Sequence, residues 1–211
     1  MSKLPFAHPA GGRIIVLDTE TTGLSQNDRL VTLGAVSLED GVLLPQRSLH
    51  LIFDPQVKSN PFAERVHGFD HWTLRHQDMF GSYARKVRDW LGWADTLVMH
   101  NAGFDMRFLQ GEMQRAGLPA ITTPHYCTMK AAREMWPLES VKLDRCLEHC
   151  GIARRGERHG ALEDAMLTAA VFMRQQAIEL SLPDITRLPP PRNFRQPPPP
   201  PGQFFADAPR P

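Results

Sequence analysis

Apolar positions recur along this chain with two different periods. Arg13–Asp18 (RIIVLD) is an apolar run that ends on an acid, the pattern of a central buried strand. Leu30–Leu38 and Val42–Phe53 are rich in Val, Leu and Ile, and the Glu39–Gly41 break between them carries Asp-Gly, a hairpin signal. Three early strands in a meander follow from this. Further along, the period lengthens. Ser82–Trp93 sets Tyr83, Val87, Trp90 and Leu91 at helical spacing, and Thr96–His100 is a short strand. Phe104–Ala116 reads as a helix stopped by Gly117 and Pro119. His125–Thr128 reads as a strand, 129–135 and 142–150 as helices, and Gly160–Leu180 as a long helix without proline. Strands first, then strands alternating with helices, predict an α/β fold with a central mixed sheet flanked by helices.

Proline divides the chain. Of its 19 prolines, 11 lie after Leu182. Residues 183–211 are too proline-rich for helix or inner strand and too poor in apolar residues for a core. They are expected to form an extended, disordered tail after a 1–182 domain; a docking peptide anchored by Phe194, Phe204 and Phe205 is the alternative. The 211 residues are 42% hydrophobic and 22% charged, enough for a sizeable core without cross-links. No run of about 18 apolar residues occurs, so no spanning helix and no membrane partner are expected. The opening MSKLPFAHPAGGR lacks the apolar core of a signal peptide, and Cys127, Cys146 and Cys150 are an odd, sparse set, so a reducing cytoplasm is the expected compartment. The net charge of +1 excludes a strongly basic DNA-coating protein, though not an enzyme that grips one nucleic-acid end.

Three short segments carry the candidate chemistry. In Asp18-Thr-Glu20-Thr-Thr22-Gly23-Leu24 the two acids are two residues apart and share one face of a strand at its carboxyl end, where open α/β sheets place their sites. Such a pair repels unless a proton or cation lies between, and hard oxygen ligands suit Mg²⁺ or Mn²⁺. Thr21, Thr22 and Gly23 offer hydroxyls and backbone N–H groups to a phosphate or sugar. His100-Asn101-Ala-Gly-Phe104-Asp105 follows a strand and opens a helix; it joins an acid to an amide and an aromatic that can bond to and stack on a base. In His159-Gly-Ala-Leu-Glu-Asp164, five residues on a helix turn through ~140°, so His159 belongs in the preceding loop if both side chains face one site. Asp164 then lies on the Leu167, Thr168, Val171 stripe, and a buried carboxylate needs a partner such as a metal.

Together these segments resemble the DnaQ-like 3′–5′ exonucleases of the DEDDh type. Asp18 and Glu20 match the first motif, Asp105 the second, and His159 with Asp164 the third; Val66-His67-Gly68 resembles a segment of the proofreading members. The resemblance spans about residues 13–173. It departs at Thr32 and Phe62, where acids are frequent in the family, and in the tail, which is unlike the usual polymerase-binding extension. It implies an RNase H-like fold and two divalent ions, Mg²⁺ or Mn²⁺. Asp18 would bridge both ions, Glu20 and Asp164 would hold the water-activating one, Asp105 the second through waters, and His159 would act as general base. Backbone at Thr22–Leu24 would hold the terminal nucleotide; Leu24 and Phe104 would wedge and stack on bases, and His67 and Asn101 would line the site. The expected activity is metal-dependent release of nucleoside 5′-monophosphates from a single-stranded or frayed DNA 3′ end, in proofreading or repair. RNA is the alternative substrate, and a DNA polymerase or another replication protein is the candidate partner.

Two other classes weigh less. An aspartyl phosphatase would use Asp18 but leave His159 idle, and an inactive nucleic-acid-binding subunit would not need every acid. Cys146-x3-Cys150 beside His149 lacks a fourth ligand for zinc and reads as core thiols. His67, His71 and His76 are expected in loops, and the four tryptophans in the core or on a partner surface.

Overall fold

The computed structural model describes residues 11–154, 160–185 and 188–201. Three strands, β1 (Arg13–Thr21), β2 (Leu30–Glu39) and β3 (Val42–Ile52), form the expected antiparallel meander, turned at Asp40-Gly41, both with positive φ. Helices α1 (Pro61–His67), α2 (His71–Leu74) and α3 (Ala84–Leu91) follow. Strand β4 (Thr96–Met99), helix α4 (Ala102–Arg115) and strand β5 (His125–Cys127) come next, then α5 (Thr128–Met135), α6 (Leu143–His149) and α7 (Ala161–Gln175). The sheet order is β3-β2-β1-β4-β5, with β4 parallel to β1 and β5 parallel to β4. The mixed α/β sheet expected from the pattern is therefore present.

Alternation along β1 divides the core. Ile15 and Leu17 face α3 and α4, with Leu91, Phe108, Leu109 and Met113 around them. Ile14 and Val16 face α7, with Leu162, Met166, Ala169 and Phe172. A third cluster joins α6 to α7 through Cys146, Leu147, Cys150, Leu167 and Val171; all three cysteines are free, as core thiols should be. No helix among the described residues is long and apolar enough to cross a membrane.

Helix α7 approaches the sheet closely. A Cβ on Gly34 of β2 would stand 2.1 Å from the Ala161 carbonyl carbon and from the Leu162 nitrogen. Backbone therefore rests on backbone there, and only a hydrogen side chain fits. Gly34 lies opposite Asp18 in the β1–β2 register.

Three sequence expectations change. The 160–180 helix ends at Gln175, because Ala177 turns left-handed (φ 59) and the Ile178 N–H closes back on the Met173 carbonyl at 2.9 Å. Histidines 67 and 71 are helical rather than in loops: α1 is capped by Asn60 with proline in its first turn, and α2 is capped by Asp70, although both helices are too short to show a period. His76 follows α2 as expected.

The largest difference is the tail. Over 188–201 it is not a solvated end but a strap on the sheet edge. The Arg192 N–H donates to the His50 carbonyl (2.8 Å), and the Asn193 side chain pairs with both backbone groups of Ile52, accepting at 2.9 Å and donating at 2.7 Å. Strand β3 is an edge, and the strap satisfies it as a sixth strand would. Phe194 packs on the cluster of Val31, Ile52 and Leu74. Gln77 clamps the Arg195 backbone at 2.8 and 2.9 Å, Arg195 pairs with Asp78, and the Trp72 indole donates to the Pro198 carbonyl at 2.7 Å. Proline suits this role, because the strap needs few donors of its own. Phe204 and Phe205 lie outside the described residues.

Two stability outcomes follow. Phe194→Ala is expected to cost about 2 kcal/mol and lower Tm by about 4–8 °C in a thermal melt. An unchanged Tm would mean that the strap does not rest on the body. Gly34→Ala is expected to cost at least about 2–3 kcal/mol in denaturant unfolding, because backbone atoms rather than a movable side chain meet the new methyl.

Candidate active site

Strand β1 delivers two acids and one hydroxyl to the carboxyl edge of the sheet. Asp18 and Glu20 continue the Ile14 and Val16 face toward α7; Thr19, between them, faces α4. The contact at Gly34 seats the first turn of α7 on β2, which brings Asp164 to the same place. Ligand oxygens of Asp18, Glu20 and Asp164 all lie within 4.8 Å of one another, the first two part-buried and the third buried. These are the only residues among those described that form such a group.

Asp105 enters from the opposite side. It sits in the first turn of α4, buried, and accepts a hydrogen bond from the Thr19 hydroxyl at 2.8 Å. It stands outside the tight group of three but close enough to act on it. Burial pushes the Asp18 carboxyl well above the usual carboxylate range, and the charges of Asp105, Asp164 and Glu20 add to that shift. Burial raises Asp105 to about 7, against the opposing Thr19 hydrogen bond. Arg154 supplies one counter-charge: its guanidinium donates to Asp164 and, at 2.8 Å, to Asp144.

This donor set fits a hard divalent cation. It is all carboxylate, and the repulsion that raises Asp18 is what a cation among the oxygens would relieve.

The turn after β1 is built by its own side chains. The Thr22 N–H donates to the Arg29 carbonyl (2.9 Å) and the Thr22 hydroxyl to Asp28 (2.8 Å); the Thr21 hydroxyl donates to the Gly23 carbonyl (2.7 Å). Arg29 ties the turn to buried Glu112 of α4 at 2.6 Å, and Arg107 of α4 donates to the Leu24 carbonyl at 3.0 Å. The hydroxyls of Thr21 and Thr22 thus donate their protons within the turn itself. Leu24 at the tip is exposed.

Other expected residues are placed as follows. Asn101 is exposed, takes a left-handed conformation (φ 74) at the start of α4 and accepts from the Phe104 N–H at 2.8 Å. Phe104 is part-buried beside Phe108, with Arg107 over both rings. His67 is buried; its Nδ1 accepts from the Phe69 N–H (3.1 Å), so its proton is on Nε2, which has no hydrogen-bond partner. Desolvation lowers its pKa to about 4 and keeps it neutral. His159 lies outside the described residues.

Sequence reasoning missed Thr19, Gly34 and Arg154. Thr19 was legible in principle, because a residue between two site acids must face the other way. Gly34 opposes Asp18 in the next strand, a relation that needs the register. Arg154 stands in the basic stretch 154–158, where nothing local singles it out.

Residues 15–172 match the family described as RNase_T, exonuclease. The chain is 33% identical over 181 residues to the DNA polymerase III subunit epsilon of Rickettsia felis, covering 80% of this chain and 78% of that protein. It is also 33% identical to the same subunit of Pasteurella multocida, over 81% of this chain and 70% of that one. Among solved structures it is similar to exonuclease X in complex with 5′ overhanging duplex DNA, at a TM-score of 0.61 and 25% identity over 78% of this chain and 90% of that one. Escherichia coli exonuclease I in complex with a 5cy-dT13 oligonucleotide shares the fold, at a TM-score of 0.65 and 15% identity over 76% of this chain and 40% of that one. The sheet with its flanking helices is the RNase H-like fold of these enzymes, and the chain belongs to the RNase_T exonuclease family.

Proposed function

We propose that this chain is a divalent-metal-dependent 3′–5′ exonuclease that shortens single-stranded or frayed DNA and releases nucleoside 5′-monophosphates. One observation carries the reading: Asp18, Glu20 and Asp164 converge within 4.8 Å at the carboxyl end of β1, within an exonuclease-family fold. Asp18, at the centre of the acids, would help to hold two divalent ions, Mg²⁺ or Mn²⁺, with Glu20 and Asp164 supporting one and Asp105, steadied by Thr19, supporting the other. When bound, they would supply the positive charge that activates the attacking water and offsets charge on the leaving oxygen. His159, one residue before Gly160 in the sequence, takes the proton from that water. The turn at Thr22–Leu24 receives the terminal nucleotide through its backbone, and Leu24 separates it from the next base. The relatives that are polymerase III subunits make a DNA polymerase, or another replication protein, the proposed partner in proofreading or repair, in the cytoplasm.

The direct test follows 5′-labelled single-stranded DNA and RNA of one sequence with Mg²⁺, Mn²⁺ or EDTA. Shortening from the 3′ end, with either metal and not with EDTA, is expected. Asp18→Ala and His159→Ala should each lose at least about 100-fold in rate. Faster loss of RNA than of DNA would reverse the substrate assignment, and intact strands under every metal would overturn the reading.

The raised carboxyls give a second outcome that does not depend on turnover. A carboxyl whose folded pKa is above its unfolded value binds more protons when folded, so its contribution to stability falls as pH rises between the two. For Asp105 the window runs from about 4, the ordinary unfolded value, up to about 7. His67, held neutral, acts in the opposite sense, so the Asp105 part is the difference between wild type and Asp105→Asn. In EDTA, the wild-type Tm should fall relative to Asp105→Asn as pH rises through that window. Mg²⁺ or Mn²⁺ should restore it most at the upper end. Parallel Tm curves would remove Asp105 from the site.

A further inference from the structure

Two large apolar side chains are more exposed than any others among the described residues: Leu24, 75% exposed, and Phe62, 68%. They border the same turn. The Asn60 N–H donates to the Thr22 carbonyl at 2.8 Å, and a Cβ on Gly23 would stand 2.6 Å from the Asn60 side-chain nitrogen. Leu24 follows Gly23, and Phe62 lies two residues after Asn60. Helix α1 is thus docked on the turn that closes the acid site. The Asn60 side chain also accepts from the Ala63 N–H at 2.8 Å, which fixes the first turn of α1 and with it the direction of Phe62.

Each flank of the turn carries an aromatic ring with a guanidinium three residues on. On α1, Arg65 lies 5.9 Å from the Phe62 ring centroid. On α4, Arg107 lies 5.5 Å from the Phe104 ring and also reaches the Leu24 carbonyl. The Phe104 ring is part-buried against Phe108, whereas the Phe62 ring stands in solvent. An exposed ring costs free energy to hydrate, and a cation beside it favours an anionic, planar ligand. A nucleotide has both properties: a π-face for the ring and a phosphate for the guanidinium.

On the exonuclease reading above, we propose that Phe62 and Arg65 form a stacking subsite for an unpaired base of the strand whose 3′ end enters the acid cluster. The pair lies outside the metal ligands. It grips strand already separated from its complement, because a paired base has no free face to offer. Its contribution is independent of base identity, since every base stacks. Phe62 is therefore a determinant of single-strand preference and of KM.

The test compares wild type, Phe62→Ala and Phe62→Tyr on two strands with Mg²⁺: a dT oligonucleotide, and the same strand with abasic residues at its three 3′-terminal positions. KM and kcat are measured, with fluorescence-anisotropy binding in EDTA alongside. Phe62→Ala is expected to raise KM for the dT strand about 5- to 150-fold, at little cost in kcat, and to leave the abasic strand unchanged. Phe62→Tyr should bind and turn over like wild type. Equal loss on both strands, or no loss on either, would overturn the subsite and leave Phe62 as a protein-contact residue. The wild type separates this from the broader reading. If it cleaves neither DNA nor RNA, the exonuclease assignment falls; if it cleaves while Phe62→Ala matches it, only the subsite falls.

Discussion

The meeting of α7 with β2 at Gly34 governs most of what this fold does. A helix normally packs on a sheet with side chains between them. Here the first turn of α7 reaches the sheet itself, because Gly34 has no side chain to hold it away. The approach is opposite Asp18, so the same contact that seats the helix brings Asp164 to Asp18 and Glu20. A methyl group at residue 34 would meet the α7 backbone and push the helix, and Asp164 with it, away from the sheet. The geometry of the acids is in this sense a packing property of the sheet.

That packing sets an electrostatic problem. Four carboxylates gather where water is scarce, and burial alone raises Asp18 and Asp105 before their neighbours are counted. The fold answers in part with Arg154 on Asp164 and with the Thr19 hydroxyl on Asp105. Arg154 also lowers Asp18, but Asp18 and Glu20 share one face of the strand and cannot separate. A divalent ion is the economical answer to that remaining repulsion, since one charge centre serves several oxygens at once. Arg154 follows α6, so its pairing ties the chain beyond α6 to the acids at the end of β1.

The elements legible in the sequence were those with a repeated pattern. All five strands and helices α3 to α6 were read near their observed bounds from their apolar pattern, whereas α7, with no proline to stop it, was read five residues too long. The acids were legible for a related reason: two carboxylates at the end of an apolar strand are an expensive placement. What escaped was set by partners distant in sequence. Helices α1 and α2 are short and held by caps, and their start at Asn60 depends on the Thr22 carbonyl. The strap was misread because its own composition supports no core. It docks by completing the edge of β3 and by placing one ring, Phe194, on a cluster that other segments provide. The partners of Thr22 were equally hidden: its hydroxyl is engaged with Asp28 and Arg29, which only the folded turn brings to it.

The strap also bears on the site through α1 and α2. Gln77 and Trp72 hold it along α2, and Phe194 and Phe69 pack on the same cluster. Phe69 in turn stacks on His67, with ring centroids 6.0 Å apart, at the end of α1. The other end of α1 is fixed to the Thr22 carbonyl. A continuous line of contacts therefore runs from the edge of β3 to the turn beside Asp18 and Glu20. An exposed ring such as Phe62 is useful to a ligand only if its helix cannot give way, since any flexibility would be lost again as ordering entropy on binding. Anchoring α1 at both ends removes that cost in advance, and the cluster that the strap's Phe194 covers supplies one of the two anchors.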